Sequence, residues 1–334
     1  MIPRSEADFQ PQWKKLLANA VSSPMELLHM LELENSTLAQ SLDASPSFRL
    51  RVPRGFIGKM KKGDPEDPLL KQVLPLTEEN LTQPGYQTDP VGDLAAEAVD
   101  GVLHKYQGRA LLITTGACGI HCRYCFRRHF PYAQSNPARD QWQQALDYIR
   151  KTPSVTEVIL SGGDPLSLSD QKLARLVCRI EQIPHVKRLR IHSRMPVILP
   201  ERIDRHLLDW IGTTHLQTIM VIHANHANEI DRTVAHSMNE LAKTGVTLLN
   251  QSVLLAGVND SFDALIALSE RLFEAHVMPY YLHLLDPVQG AAHFNVECDH
   301  ALALMEQIRN RLPGYLVPKL VQEKPGAGSK ITIS

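Results

Sequence analysis

From residue 109 onward, short apolar runs alternate with stretches of helical periodicity. Runs at 109–115, 156–162, 188–194, 217–225, 247–254 and 279–286 have strand length and are mostly bounded by turn residues. The stretches at 140–152, 170–183, 202–212, 228–244, 262–276 and 298–312 place apolar residues three and four apart, which predicts helices with one buried face. Continuous apolar strands alternating with amphipathic helices predict a parallel sheet covered by helices. Six such units fall short of a closed eight-stranded barrel. They suit an α/β fold of the open, partial (β/α)6 barrel type. A flat doubly wound sheet is the competing architecture, and periodicity alone does not separate the two.

Residues 1–100 read differently. Helical spacing is clear in Trp13-Lys14-Lys15-Leu16-Leu17 and over 24–31, where Pro24 suits a first turn. Pro46, Pro53, Gly55, Gly63, Pro65 and Pro68 then break the pattern, with a short helix predicted over 69–74. Turns are predicted at Gln83-Pro84-Gly85-Tyr86 and Thr88-Asp89-Pro90. The expected organisation is a mostly helical extension over 1–100, a barrel over 101–313 and a short tail over 314–334.

The unusual polar residues collect at one end of the strand–helix rhythm. A cysteine-rich loop follows the first strand, Ser161-Gly162-Gly163-Asp164 ends the second, and His192-Ser193-Arg194 ends the third. His223-Ala224-Asn225-His226 ends the fourth, Gln251 lies in the fifth, and Asp286 ends the sixth. In barrels and open α/β sheets, sites form at the carboxyl ends of the strands. This placement points to function without reference to any family.

The loop is Cys118-Gly119-Ile120-His121-Cys122-Arg123-Tyr124-Cys125, with spacing C-x3-C-x2-C. It can aim three thiolates at one inorganic centre. A cubane iron–sulfur cluster held by three would keep one iron open for a small molecule. A structural zinc site, with His121 or a distant cysteine as fourth ligand, is the alternative. Gly162-Gly163-Asp164 combines two residues without side chains and a carboxylate that can accept from an ammonium group. It is also good turn chemistry.

Composition narrows the class. A net charge of −1 over 334 residues argues against a general polyanion binder. Five cysteines, clustered three to two, do not make a disulfide framework. Thiolates that ligate a cluster need a reducing compartment. The first residues lack a signal-like apolar region, and no run has the length of a membrane span. These features predict a cytoplasmic protein with no nucleic-acid or membrane partner. Cys178 is expected on a buried helix face as core filler. Cys298 is expected at the start of a helix, in a structural role.

C-x3-C-x2-C with Tyr124 before the last cysteine resembles the signature of the radical S-adenosylmethionine enzymes. The flanking Leu103-His104-Lys105-Tyr106, Arg109-Ala110-Leu111-Leu112 and Cys125-Phe126-Arg127-Arg128-His129-Phe130 resemble the lysine 2,3-aminomutases. The similarity is greatest to the branch that makes (R)-beta-lysine for bacterial elongation factor P. It runs from about Arg51 to Lys330.

The resemblance implies a partial barrel with the N-terminal extension packed on it and the tail closing the active site. It implies a [4Fe–4S] cluster on Cys118, Cys122 and Cys125, with S-adenosyl-L-methionine on the open iron. Gly162, Gly163, Asp164, His223 and Gln251 match positions lining that cofactor. Lys330, within Pro325-Gly326-Ala327-Gly328-Ser329-Lys330, matches the lysine that carries pyridoxal 5′-phosphate. By residue type alone, a lysine so near a chain end is usually solvated. Lys105, Tyr106 and Arg109 match the segment beside that phosphate. Lys105 departs from the common arginine and loses its bidentate fork. Arg127 matches the position that binds a substrate carboxylate, while charge compensation for the cluster is its plain alternative. Asp286 and Glu323 match the positions that receive a distal ammonium, and Glu323 departs from the aspartate of the catabolic enzymes. Two carboxylates there favour a cationic amino acid, L-lysine, over glutamate.

The implied reaction is isomerisation of L-lysine by migration of its amino group from the α to the β carbon. Hydrogen abstraction by a radical derived from S-adenosylmethionine starts it. A flavodoxin- or ferredoxin-type protein would donate the electron, and the product would pass to a ligase acting on elongation factor P. Two rival readings remain: a radical enzyme acting on another amine without pyridoxal phosphate, and a zinc module touching RNA through Arg123, Arg127 and Arg128.

Overall fold

The computed structural model describes residues 11–43, 46–133 and 142–334. Side chains on a strand point alternately to opposite faces, and here the two faces have different tasks. Ala110, Leu112, Val158, Leu160, Leu189, Ile191, Met220 and Ile222 enter the apolar core. The alternate residues Arg109, Leu111, Ile159, Ser161, Arg190, His192, Val221 and His223 line one internal cavity. A flat doubly wound sheet would bury apolar side chains under helices on both faces. Here one face is partly polar and encloses a cavity, so the sheet is an open barrel.

Ten strands form one sheet in sequence order. They are β1 (Glu97–Val99), β2 (Val102–Tyr106), β3 (Arg109–Thr115), β4 (Glu157–Gly162), β5 (Arg188–Ser193), β6 (Gln217–Ile222), β7 (Thr247–Val253), β8 (Met278–His283), β9 (Lys319–Gln322) and β10 (Ile331–Thr332). Strands β3 to β8 are the six expected parallel strands. A seventh, β9, adds parallel to β8. The antiparallel β1–β2 ribbon extends the β3 edge, and β10 folds back on β9. No pairing joins β1 to β10 among the described residues, so the barrel stays open.

The N-terminal extension contributes five short helices: α1 (Gln12–Ala18), α2 (Pro24–Met30), α3 (Thr37–Gln40), α4 (Arg54–Ile57) and α5 (Pro68–Lys71). Pro24 begins α2 as expected, and Asp67 caps α5 by accepting from Leu69 N and Leu70 N. Trp13, Leu27, Phe56 and Leu70 share one core with the barrel. Burying each such side chain stabilises the fold by about 1.5–3 kcal/mol.

The barrel helices are α6 (Gln143–Arg150), α7 (Asp170–Glu181), α8 (Met195–Ile198), α9 (Arg205–Thr213), α10 (Arg232–Lys243), α11 (Phe262–Glu274) and α12 (Cys298–Arg311). Residues 140–141 of the first predicted helix lie outside the described residues. The stretches predicted over 202–212 and 228–244 each begin as a 3₁₀ turn. The α-helix starts only after Asp204 and Asp231, whose carboxylates accept the first free N–H groups. Cys178 corrects the sequence reading: it is exposed. The buried stripe of α7 is Leu173, Leu176, Val177 and Ile180. Position 178 falls just off that stripe. Cys298 is exposed at the start of α12. No helix of the described residues is long and apolar enough to cross a membrane.

Candidate active site

The residues singled out in the sequence converge. Lys105, Tyr106, Arg109, the three loop cysteines, Arg127, Gly162, Gly163, Asp164, His223, Gln251, Asp286, Glu323 and Lys330 all line one cavity of about 290 Å³. The cysteine loop and the C-terminal hairpin, about two hundred residues apart in sequence, share its walls.

The cysteine loop leaves the end of β3 and is held from several sides. Gly163 N donates to Thr115 O at 2.7 Å, and Asp164 N donates to Ala117 O at 2.7 Å. His121 N donates to Arg51 O at 3.0 Å, and Arg123 N donates to Gln72 O at 2.9 Å, so the extension braces the loop. Arg123 Nε donates to Glu79 at 2.7 Å and Arg128 Nη2 to the same carboxylate at 2.6 Å. These guanidiniums are buried and already paired, so they offer no surface to a polyanion such as RNA. Burial, then the neighbouring cysteines, push the Cys125 thiol up to about 11 and the Cys118 thiol well above its usual value. A cationic iron centre would relieve that repulsion and hold the thiolate form. Among the described residues no group of His, Cys, Asp and Glu closes on a single ion. A cubane spreads its cysteines over separate iron corners, so a shared wall suits it better than a single point.

Gly162 and Gly163 serve the chain's own backbone. A Cβ on Gly163 would lie 2.4 Å from Ala117 O, and Gly162 holds φ +117°, with Thr115 O 2.8 Å from where its Cβ would stand. Only glycine allows that approach of β4 to the cysteine loop. Asp164 accepts from Ser193 Oγ at 2.7 Å, Leu166 N at 3.0 Å, Arg194 N at 2.8 Å and Met195 N at 3.1 Å. Its carboxylate ties β4 to β5 as well as lining the cavity. Tyr124 Oη lies 3.0 Å from His223 Nε2, and the two rings stack. Burial, then the Arg194 charge, lower His223 to about 3, so its ring is neutral. Gln251 sits where the β7–β8 register shifts, next to Pro279, which has no N–H for the ladder.

The opposite wall is charged. Lys330 Nζ lies 3.1 Å from Glu323 Oε2 and 3.3 Å from His283 Nε2. Lys105 Nζ donates to Glu323 Oε1 at 2.9 Å and Val91 O at 2.8 Å, and pairs with Asp93 Oδ1 at 2.6 Å. Lys105 is thus held by two carboxylates and a carbonyl, so a phosphate there would compete with them. Arg127 Nε donates to Asp93 Oδ2 at 2.6 Å and Nη1 to Ser161 Oγ at 3.1 Å. Arg109 lies over the Tyr106 ring at 4.5 Å. Burial opposes the Glu323 charge, but Lys330 and Lys105 outweigh it and hold the carboxyl at about 2. Asp286 is the reverse. Burial, then the Glu323 charge, raise it to about 7, and its Oδ1 is buried without a hydrogen-bond partner.

Asp93 was not singled out by the sequence. It is 2 % exposed and bridges Lys105 and Arg127, which makes it a member of the charged wall. Asp89 accepts from Asp93 N and Leu94 N and so fixes its turn. Gln87 pairs with the chain after β8 at Pro287 and Gln289, so this segment straps across the open side. His192 and His283 also line the cavity, both held neutral by burial and by nearby cations, Lys330 among them.

The chain is similar to known proteins along most of its length. The model of the radical SAM superfamily matches residues 112–268. The chain is 50 % identical over 319 residues to the L-lysine 2,3-aminomutase of Escherichia coli K12, covering 95 % of this chain and 93 % of that one. It is 47 % identical over 321 residues to the enzyme of the same name from Haemophilus influenzae, covering 96 % and 95 %. Against that of Clostridium subterminale it is 34 % identical over 330 residues, covering 98 % of this chain and 79 % of the relative.

Proposed function

Because the chain belongs to the L-lysine 2,3-aminomutase family of the radical SAM superfamily, we propose that it isomerises L-alpha-lysine to (R)-beta-lysine with pyridoxal 5′-phosphate as second cofactor. The observation that carries this reading is one cavity whose walls hold Lys330, Glu323 and Asp286 together with the three loop cysteines. Cys118, Cys122 and Cys125 would hold the [4Fe–4S] cluster, and Gly162, Gly163, Asp164, His223 and Gln251 would border S-adenosylmethionine. Lys330 would hold pyridoxal phosphate, with Tyr106, Arg109 and Lys105 at its phosphate.

When bound, the cluster with S-adenosylmethionine supplies one-electron chemistry and pyridoxal phosphate supplies a carrier for the migrating amino group. The chain's own residues bind, orient and exclude water. Asp286, with its buried unpartnered oxygen, is the natural acceptor for the distal ammonium of lysine. Glu323 pairs with Lys105 and Lys330, and its charge also acts on Asp286. Arg127 would take the substrate carboxylate, held in place by Asp93 and Ser161. The open side of the barrel is crossed by the 87–93 segment and the C-terminal hairpin, which limits solvent access.

The reading divides the chain into an extension over 1–100, the barrel over 101–313 and a closing segment over 314–334. It places the enzyme in the cytoplasm, with a flavodoxin- or ferredoxin-type electron donor. A ligase acting on elongation factor P would take the product; that assignment rests on the sequence resemblance. The test is anaerobic reconstitution with iron, sulfide, pyridoxal phosphate and S-adenosylmethionine, followed by assay on L-lysine with chiral analysis. Formation of beta-lysine only when pyridoxal phosphate is present is the expected result. S-adenosylmethionine cleavage without pyridoxal phosphate binding or lysine turnover would favour a different amine as substrate.

A further inference from the structure

We propose that Arg194 is a positioning residue for the iron–sulfur cluster: it orients Cys122 by a direct hydrogen bond and raises the cluster's reduction potential. Arg194 follows the end of β5 and is 7 % exposed. Its Nη1 donates to Cys122 Sγ at 2.7 Å. Its Nη2 donates to Gln72 Oε1 at 2.7 Å and to Glu229 Oε2 at 2.9 Å. Its backbone N donates to Asp164 Oδ2 at 2.8 Å.

The direction of that guanidinium is fixed from behind. Glu229 is fully buried, and its other oxygen accepts from Asn225 N at 2.8 Å, His226 N at 3.1 Å and Gln72 Nε2 at 3.2 Å. The rings of Phe56 and Tyr124 flank Arg194 at 5.6 and 5.7 Å. Four separate parts of the chain therefore meet on one side chain: the extension, the cysteine loop, β5 and the turn after β6. No motif in the sequence requires this meeting, and the reaction as described above does not use it.

The physical consequence follows from charge. Reduction adds one electron to the cluster, and part of that charge reaches the thiolates. Hydrogen bonds to cluster sulfurs and local charge set the potential. The Arg194–Glu229 pair is neutral as a whole, but its positive end touches the sulfur and its negative end lies behind. It acts as an oriented dipole that favours the reduced cluster.

The inference rests on the assignment of the cluster to the three cysteines. Iron and sulfide content of the wild type checks that first, and an absence of both would overturn the assignment itself. With the cluster present, mediated anaerobic titration with dithionite, followed by electron paramagnetic resonance without S-adenosylmethionine, compares the wild type with Arg194→Gln, Glu229→Gln and the double variant. Glu229→Gln leaves the guanidinium charge unopposed and should raise the potential. Arg194→Gln, and the double variant if the single one does not fold, should lower it. Each shift should reach at least tenfold in the reduction equilibrium constant, or 59 mV for one electron. A purely structural role would not reverse sign between the two substitutions. Potentials unchanged at full iron content, or moved in one direction by both changes, would overturn the proposal. Arg194→Lys should recover part of the shift, because it keeps the charge and loses the fork.

Discussion

Lys330 and Glu323 face each other across the C-terminal hairpin, with Nζ 3.1 Å from Oε2. The register explains it. Ile331 pairs with Gln322 and Thr332 with Val321, so continuing the ladder by one residue sets Lys330 opposite Glu323. Because β9 runs parallel to β8, the hairpin ends beside His283 and Asp286. A lysine that by residue type belongs to a solvated tail is thereby brought to the cavity wall.

This placement makes Lys330→Ala the direct test of the covalent anchor. The variant should assemble the cluster normally, since Lys330 makes no contact with the cysteine loop among those described. It should lose covalent pyridoxal phosphate, read as loss of the borohydride-trapped adduct in peptide mass spectrometry. An adduct found on another lysine would move the anchor.

Cluster content should divide the cysteines three to two. Cys118→Ala, Cys122→Ala and Cys125→Ala should each lose most of the iron–sulfur absorbance under anaerobic reconstitution. Cys178→Ala and Cys298→Ala alter exposed thiols away from the cavity, so they should keep it. Full iron and sulfide in Cys122→Ala would remove the basis of the assignment.

A glycine gives an independent probe of the same loop. Gly163→Ala would force a Cβ to 2.4 Å from Ala117 O, a backbone atom that cannot swing aside. The cysteine loop must shift, and cluster incorporation should fall severalfold while the helices stay folded by circular dichroism. Gly328 has nothing within 4 Å of its Cβ position. Gly328→Ala should leave cluster incorporation at the wild-type level.

Much of this was legible from the chain. The short continuous apolar runs located β3 to β8, because buried parallel strands are locally apolar whatever they pair with. The same reading put the polar residues at one end, where most of them line the cavity; Asn225 and His226 instead bond neighbouring chain, at Gln72 and Val253 and at Asn228. What it missed depends on pairing across long separations. β9 and β10 are four and two residues long, too short to show a period. Asp93 lies in a turn whose sequence says only turn, and its role exists through Lys105 and Arg127. Arg194 was named at the end of its strand, but its partners Glu229 and Gln72 lie far off in sequence and meet it only on folding. Cys178 was misplaced by one step on a helix, because an apolar neighbourhood does not fix which face a residue takes.

Asp286 and Glu323 on the charged wall titrate in opposite directions, which separates them by pH. Asp286 is raised from 3.8 to about 7, so between those values the folded chain holds a proton that the unfolded chain has lost. Stability then falls as pH rises across that window. Glu323 is lowered from 4.5 to about 2, so its contribution is present above pH 4.5 and is lost as pH falls towards 2. Urea unfolding of the cofactor-free chain should therefore show Asp286→Asn flattening the slope between about pH 4 and 7. Glu323→Gln should remove the loss below pH 4.5 and, by taking away a charge that helps raise Asp286, also reduce the slope above it. An unchanged slope in Asp286→Asn would mean that this carboxyl is not the proton holder.

Substrate choice tests the same pair. A lysine ammonium entering beside Asp286 needs an ionised partner, and Asp286 carries a proton through much of the range below pH 7. Lysine binding should therefore release a proton near pH 6 and tighten as pH rises, detectable by calorimetry in buffers of different ionisation enthalpy. Removing one member of a buried ion pair costs about 3–5 kcal/mol, which sets the scale for loss of lysine affinity in Asp286→Asn; both cofactors should stay bound. Glu323→Asp shortens a carboxylate that Lys105 and Lys330 share. It should keep lysine as substrate and change rate or product handedness. Glutamate would bring a further carboxylate beside Asp286 and Glu323 and should not be turned over. Assays of lysine, ornithine and glutamate on the wild type and both variants decide the matter. Efficient glutamate turnover by the wild type, or undiminished lysine turnover by Asp286→Asn, would show that these carboxylates do not read the substrate.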